Sequence, residues 1–394
     1  MNNTQRPPMI SHRHRVRGRA TAGALACATL ALGASGAFAQ GSVTLYGNVD
    51  ASVVSSRSGA PGVGALTAVT SGIGSSSHWG LRGVEDLGGG MKALFQLEMG
   101  FDLDTGASKQ YTGDYGSATP AAPTGTAVAG FNRRSAVGLE TPYGTVTLGR
   151  DYTPLFYTAV TTDTIRGAQY LGNIQLLTSL LGGPERSARN SNVLTYTSPI
   201  IGGFRARAAY GLGSESPGGA GRPPRDTNKF IGVGGEYIGG GLTVSGSLQQ
   251  VKLALTAGTP AAFTGIANRT DMALGTRYVF GNYSASVGHF RVNGPVDGSD
   301  TWLGGSVAFG ASTVYAQVQR IRQDNPNGAE RRGTSLGLTY TYNLSRRTIA
   351  YTSFGRTSNN ATGQFALLGN DVAFAAGAPG ATPRAVAIGV RHSF

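Results

Sequence analysis

Apolar and polar residues alternate with a period of two along most of the chain. "TSLGLTYTY" sets Leu336, Leu338, Tyr340 and Tyr342 against Ser335, Gly337, Thr339 and Thr341. "DMALGTRYVF" sets Met272, Leu274, Tyr278 and Phe280 against Ala273, Gly275 and Arg277, and "FRARAAY" sets Phe204, Ala206, Ala208 and Tyr210 against Arg205, Arg207 and Ala209. The terminal "AVAIGVRHSF" puts Val386, Ile388, Val390, His392 and Phe394 on one side. Successive side chains of a strand point to opposite faces, so each stretch is an amphipathic strand. One face is apolar with aromatics near strand ends. The other carries small polar residues and arginines, which no protein core accepts without partners. A soluble sandwich turned the other way round gives the same alternation, so single strands do not decide the fold.

The connections do. Short turns fall at Leu87–Gly90, Thr141–Gly144, Pro199–Gly203, Gly239–Gly241, Gly281, Gly310 and Asn343–Arg346. Between them lie Gly/Pro/Ser-rich stretches at about 56–75, 105–130, 152–190, 213–228, 253–268, 293–300, 324–331 and 358–383. Seven short turns alternating with eight long loops require sixteen strands, with both ends of the run on the short-turn rim. An even strand count with short turns at one rim and long loops at the other is the arrangement of outer-membrane barrels. The predicted fold is all-β, a 16-stranded antiparallel transmembrane β-barrel. The last strand must then pair with the first, near "SVTLYGNVD", because an open edge in lipid leaves backbone groups unpaired. A barrel this wide holds an aqueous channel.

Composition agrees. Charged residues are 13% of the 394 positions, about half of the roughly 25% of soluble domains, and the hydrophobic share is only 40%. Small polar residues and 62 glycines fill the gap. After residue 40 there is no apolar stretch near 18 residues, so no transmembrane helix is expected.

Residues 1–39 read as a cleaved signal peptide. Arg6, Arg13, Arg15, Arg17 and Arg19 precede a short apolar run from about Ala20 to Leu32, and Ala37-Phe38-Ala39 supplies a small-x-small cleavage pattern. Its removal takes five arginines and no acid, lowering the formal charge from +13 to +8. It also removes Cys27, the only cysteine, so no disulfide framework is expected. The mature domain is then 40–394.

"SVTLYGNVDASV", "HWGLRGVEDLGGGMKALFQLEMGFDLDTG", "FNRRSAVGLETPYGTVTLGRDYTP" and "RNSNVLTYTSPIIGGF" resemble segments of the general porins of Gram-negative outer membranes, in the family's order and spacing, particularly its beta-proteobacterial branch. The closing "GVRHSF" is similar too. The resemblance implies a homotrimer of barrels in outer-membrane lipid and lipopolysaccharide. It implies that the third external loop, here about 152–190, folds inward and narrows the pore. It also implies that the assembly machinery reads Phe394 as a signal. Opposite that loop the family carries a basic ladder, which the resemblance places at Arg82, Arg133 and Arg189, with Asn48 where many relatives have a base.

By alternation, Arg82 belongs to the water side and Arg134 should face away from Arg133. Lys92, Glu98, Arg205, Arg207, Glu236 and Arg277 have lumen parity and are expected to be general wall charges. Asp163 and Arg166 lie on the inserted loop as candidates to project into the pore. The expected function is a general diffusion porin, moderately anion-selective, for small hydrophilic solutes and anions. The alternative is a substrate-specific channel or adhesin on the same barrel. No enzyme, cofactor or metal is expected: His78, His289 and His392, the histidines after residue 40, are not spaced to chelate, and the glycine clusters lack the strand–loop–helix context of a phosphate loop. Nor is there a basic run after residue 40, which argues against nucleic acid as a partner.

Overall fold

The computed structural model describes residues 41–109, 130–165, 169–173, 188–213, 224, 226–257, 262–324 and 328–394. The expected signal peptide and Arg166 lie outside the described residues. Among the described residues nineteen strands are present: β1 (Ser42–Arg57), β2 (Leu66–Ser71), β3 (His78–Gly88), β4 (Met91–Gly100), β5 (Arg134–Thr141), β6 (Gly144–Tyr152), β7 (Arg189–Thr197), β8 (Phe204–Gly211), β9 (Phe230–Gly239), β10 (Leu242–Ala257), β11 (Ala262–Phe280), β12 (Tyr283–Asn293), β13 (Gly298–Phe309), β14 (Ser312–Gln323), β15 (Arg331–Asn343), β16 (Thr348–Asn359), β17 (Leu367–Leu368), β18 (Ala373–Phe374) and β19 (Arg384–Ser393). Among the described residues one helix, α1 (Pro154–Thr162), follows β6.

Each neighbouring pair in the barrel is antiparallel, and β1 closes on β19 from Asn48↔Ser393 to Arg57↔Arg384. On its other side β1 pairs with β3 near its start and with β2 near its end, so β2 and β3 are one interrupted wall strand. Counting those two as one, and leaving out the separate β17–β18 ribbon, gives the closed sixteen-stranded antiparallel barrel expected from the turns.

The turns sit where the glycines require them. Gly88, Gly89, Gly90, Gly202, Gly203, Gly240, Gly241, Gly281 and Gly310 all have positive φ, a region that Cβ-bearing residues enter at a cost. Two connections differ from expectation. The stretch 253–268 is largely strand in its described part, because the backbone pairing continues from Leu253↔Ala267 to Ala257↔Ala262. The stretch 56–75 contains β2, which pairs through Val53↔Val69.

The face pattern follows the sequence. Leu274, Leu338, Ile388 and Val390 are exposed on the outer surface, whereas Ser335, Thr339, Thr341 and Ala273 are buried inside. Part of the lumen is filled. Leu155 and Ala159 of α1 pack on Ala273, Phe290, Val292, Trp302 and Ile321 of the far wall, together with Phe365 of the last loop. Farther along, Ile165, Tyr170 and Leu171 pack against Val54, Ile73, Tyr351 and Leu367. These apolar residues face inward because the inserted chain, not water, covers them.

Candidate functional site: a basic wall facing an inserted loop

The inserted segment starts where β6 ends. Thr153 caps α1 by accepting from the Phe156 N–H (3.2 Å), and Pro154 sits in the first turn with its φ already helical. The sequence shows no convincing helix pattern, and α1 is an addition to the expected all-β fold. The "TP" at 153–154 was the available signal, obscured because α1 has only nine residues. The loop then runs across the interior, tied to one wall strand after another. Thr158 shares a hydroxyl hydrogen bond with Ser245 (3.0 Å), the Thr164 N–H donates to Ser286 Oγ (3.1 Å), and the Leu171 N–H donates to Ser353 Oγ (3.1 Å). Gln319 Nε2 donates to the Gly172 carbonyl (3.0 Å). Gly172 has φ +80° and lies flat on β15: a Cβ there would come within 2.6 Å of Gly337 backbone.

The last loop holds the far end. The Gly172 N–H donates to the Leu368 carbonyl (2.8 Å) and Asn173 Nδ2 to that of Gly369 (2.7 Å), while the Tyr170 N–H donates to the Ile73 carbonyl (2.8 Å). The expectation of an inward-folded third loop agrees with this path through residues 153–165 and 169–173.

Facing α1, the wall carries the arginines. The Arg82 guanidinium stands 5.2 Å from the centroid of the Tyr46 ring, exposed to the lumen, with no carboxylate in ion-pair range among the described residues. Glu98 is buried and accepts from the Tyr46 hydroxyl (3.0 Å) and from Arg133 Nε, with His78 3.8 Å away. Arg133 also donates to the Tyr152 hydroxyl (3.3 Å), and Arg189 donates to that oxygen at 3.0 Å while lying over the Tyr152 ring at 4.6 Å. Tyr152 in turn stacks on Phe156 of α1 at 4.4 Å. The structure thus gathers Arg133, Arg189 and Glu98 around the helix start, with Arg82 beside them on the same wall.

Arg134 overturns the alternation argument. It does not face away; its guanidinium donates to Gln96 Oε1 (2.7 Å) and Asp151 Oδ2 (2.8 Å). Arg134 opens β5 opposite inward-facing Glu98, whereas Arg133 precedes the strand, where the two-residue period does not yet hold. Both arginines therefore reach the lumen. Arg205 and Arg207 both donate to Glu236 Oε1 (3.0 and 2.9 Å), and Arg207 lies 4.2 Å from the Tyr157 ring of α1. Burial, then the Asp151 carboxylate, push the Tyr157 phenol up to about 12. It stays neutral and offers Arg207 a π face. These three wall charges belong beside the helix, a height that parity alone did not give.

Other expected lining residues are elsewhere. Asn48 faces inward but is buried: its amide donates to the Ser76 carbonyl (3.2 Å) and its oxygen accepts from Ser393 (3.2 Å). Lys92 sits at the short-turn rim, paired with Glu140 at 2.9 Å and away from the helix. Asp163 does not project into the pore. It is fully buried at the end of α1, where its Oδ1 accepts from the Ile165 N–H (3.0 Å), as the end of a helix entering a turn requires. Phe394 closes the barrel: its N–H donates to the Gly47 carbonyl (3.0 Å) and its carbonyl accepts from the Gly47 N–H (3.1 Å).

A closed, lipid-faced barrel with an inserted third loop against a basic wall defines the porin class. Residues 24–362 match the family model described as Gram-negative porin, and the chain belongs to that family. It is an outer-membrane porin. Outer membrane porin protein 32 of Delftia acidovorans is 30% identical to it over 92% of this chain and 97% of its own. Among solved structures, the anion-selective porin from Comamonas acidovorans has a TM-score of 0.74 and 26% identity, over 90% of this chain and 100% of its own. The trimer form of OmpT from Vibrio cholerae (TM-score 0.63, 16% identity, 90% and 99% covered) shares the fold.

Proposed function

We propose that this chain, exported by a cleaved leader over 1–39, forms a homotrimeric general diffusion pore with moderate anion selectivity, a channel rather than an enzyme. The observation that carries the selectivity is the charge around the narrowing. Among the described residues, six guanidiniums (Arg82, Arg133, Arg134, Arg189, Arg205 and Arg207) stand with three carboxylates, those of Glu98, Asp151 and Glu236. Arginines outnumber carboxylates among the described residues there, and Arg82 makes no ion pair with a described carboxylate. A narrow channel with low-dielectric walls concentrates the field of one sign and raises the local density of counter-ions. Arginine cannot relieve the repulsion by deprotonating, so the field persists across the working pH range. Because the carboxylates cancel part of it, the preference is moderate.

The anion selectivity named for the Comamonas acidovorans porin supports this reading. The trimer form of OmpT supports the oligomeric state only through the shared fold. Here the outer face near the start of the barrel, with Val43 and Leu45 exposed among small residues, suits subunit packing. Bilayer recordings in gradients of small salts test the selectivity, and mass measurement in mild detergent tests the trimer. Chloride preference and three protomers are expected; cation preference or a monomer overturns the corresponding part.

A further inference from the structure

The charged groups around the narrowing differ in whether they can change. Guanidiniums ordinarily titrate above about pH 12 and carboxyl groups near about pH 4, so between about pH 5 and 8 an imidazole is the side chain that changes its charge. Of the three histidines after residue 40, one stands at the basic wall. His289 pairs with Leu274 on the outer face, and its Nδ1 lies 2.8 Å from Thr301 Oγ1. His392 is exposed near the chain end, with its Nδ1 2.9 Å from Thr348 Oγ1. His78 opens β3 on the lumen face that also carries Arg82.

The His78 ring is held in one orientation. Its Nδ1 lies 2.8 Å from the Ser76 carbonyl oxygen, which can only accept, so Nδ1 carries a proton and Nε2 is the atom left to gain one. Nε2 stands 3.8 Å from Glu98 Oε2, and the side chain is 17% exposed, so the site is reached by solvent. Glu98 also accepts from the Tyr46 hydroxyl (3.0 Å) and from Arg133 Nε. The Tyr46 ring links the imidazole to Arg82: it lies edge-on to the His78 ring at 6.4 Å and 5.2 Å from the Arg82 guanidinium. Gly80, between His78 and Arg82 on this face, leaves the space, since a Cβ there would meet the Tyr46 hydroxyl at 2.8 Å. The other charges that act on the imidazole are Arg133 and Asp371 of the last loop, the latter 3.4 Å from Lys109.

With Nε2 bare, Arg133 is the charged partner of Glu98 in ion-pair range among the described residues. A proton on Nε2 gives Glu98 a second cation and adds one whole positive charge to the wall, with no residue required to move. In a narrow channel that charge acts on every passing ion. On the diffusion-pore reading above, we propose that His78 is the titratable member of the basic wall and sets the strength of anion preference, which rises as pH falls from about 8 to about 5. The arginines supply a constant field, and the imidazole supplies a variable one on top of it.

The test measures the zero-current potential across a bilayer in a potassium chloride gradient at about pH 8, 6.5 and 5. It uses the wild type, His78→Gln and His78→Arg, each confirmed as an intact oligomer in mild detergent. Glutamine keeps a donor for the Ser76 carbonyl and never charges, whereas arginine is charged throughout. The wild-type ratio of chloride to potassium permeability should rise about twofold from the highest pH to the lowest. It should start beside His78→Gln and move towards His78→Arg, while each variant stays nearly flat. His289→Gln/His392→Gln leaves His78 as the one histidine after residue 40 and should keep the full rise, so the test stands even where a change at position 78 disturbs assembly. A wild-type ratio that ignores pH, a rise undiminished in His78→Gln, or a rise lost in His289→Gln/His392→Gln overturns the role of His78 and leaves the anion-pore reading intact. Potassium preference in the wild type at every pH overturns that reading instead, and the dependence on His78 is then decided by the pH response alone.

Discussion

Arg133 and Arg189 donate to one and the same oxygen, the Tyr152 hydroxyl, at 3.3 and 3.0 Å. They come from opposite ends of the inserted segment's flanking wall, one just before β5 and one at the start of β7. Two like charges are held near each other because a neutral acceptor and the Glu98 carboxylate lie between them. Tyr152 is therefore the element that fixes the basic wall relative to the helix on which it stacks.

Tyr152→Phe removes the shared acceptor and keeps both charges and the ring. Hydrogen bonds from charged groups contribute about 1.5–3 kcal/mol each, so the arginines should become less ordered without loss of the barrel. Single-channel traces should show more open-state noise, with the sign of selectivity unchanged. Traces as quiet as those of the wild type would show that the hydroxyl does not order the wall.

Gly172 bears on the inserted loop. A Cβ at φ +80° costs of order 1 kcal/mol by conformation alone, and here it also meets Gly337 backbone at 2.6 Å. Gly172→Val should lift the loop from β15 and raise conductance, since the segment over residues 169–173 is what the last loop holds down. Melting of the barrel itself should shift little, because the wall pairing is untouched. Conductance equal to the wild type would show that this contact does not set the width.

At the seam, deletion of Phe394 removes both backbone hydrogen bonds with Gly47 and the ring that lies against it. Each such bond contributes about 1 kcal/mol, and β1 is left with a ragged edge where lipid offers no replacement partner. The amount of heat-modifiable oligomer in the outer membrane should fall far more than synthesis does. Normal amounts after the deletion would show that the seam does not need this residue.

Much of this was legible. The barrel followed from glycines at turns such as Gly240–Gly241 and Gly281 and from clean alternation in β11 and β15. The lumen face of Arg82, Arg205 and Arg207 came from the same period. What failed did so where the period stops applying. Arg133 lies one residue outside β5, so its neighbour Arg134 was assigned to the wrong face. Asp163 sits at the end of a helix that gave no pattern, and its carboxylate is spent on the chain itself. Tyr152 read as one more aromatic at a strand end. Its role arises from residues about 19 and 37 positions away, a relation the local sequence does not contain.

The charges on the wall are not equivalent, and this sharpens the test of anion preference. Arg133 is offset by Glu98 and Arg134 by Asp151, whereas Arg82 has no described carboxylate partner and is exposed to the lumen. Its field is the least cancelled of the six. Added salt screens it, with a Debye length of about 10 Å at 0.1 M, so the contrast is greatest in dilute solution. The decisive measurement is the zero-current potential across a bilayer in a potassium chloride gradient, for the wild type, Arg82→Ala and Arg133→Ala. Chloride preference in the wild type is expected, with a larger shift towards potassium for Arg82→Ala than for Arg133→Ala, each with the oligomer intact. A wild-type pore that already prefers potassium, or an Arg82→Ala pore whose potential is unchanged, would contradict the assignment of selectivity to this wall.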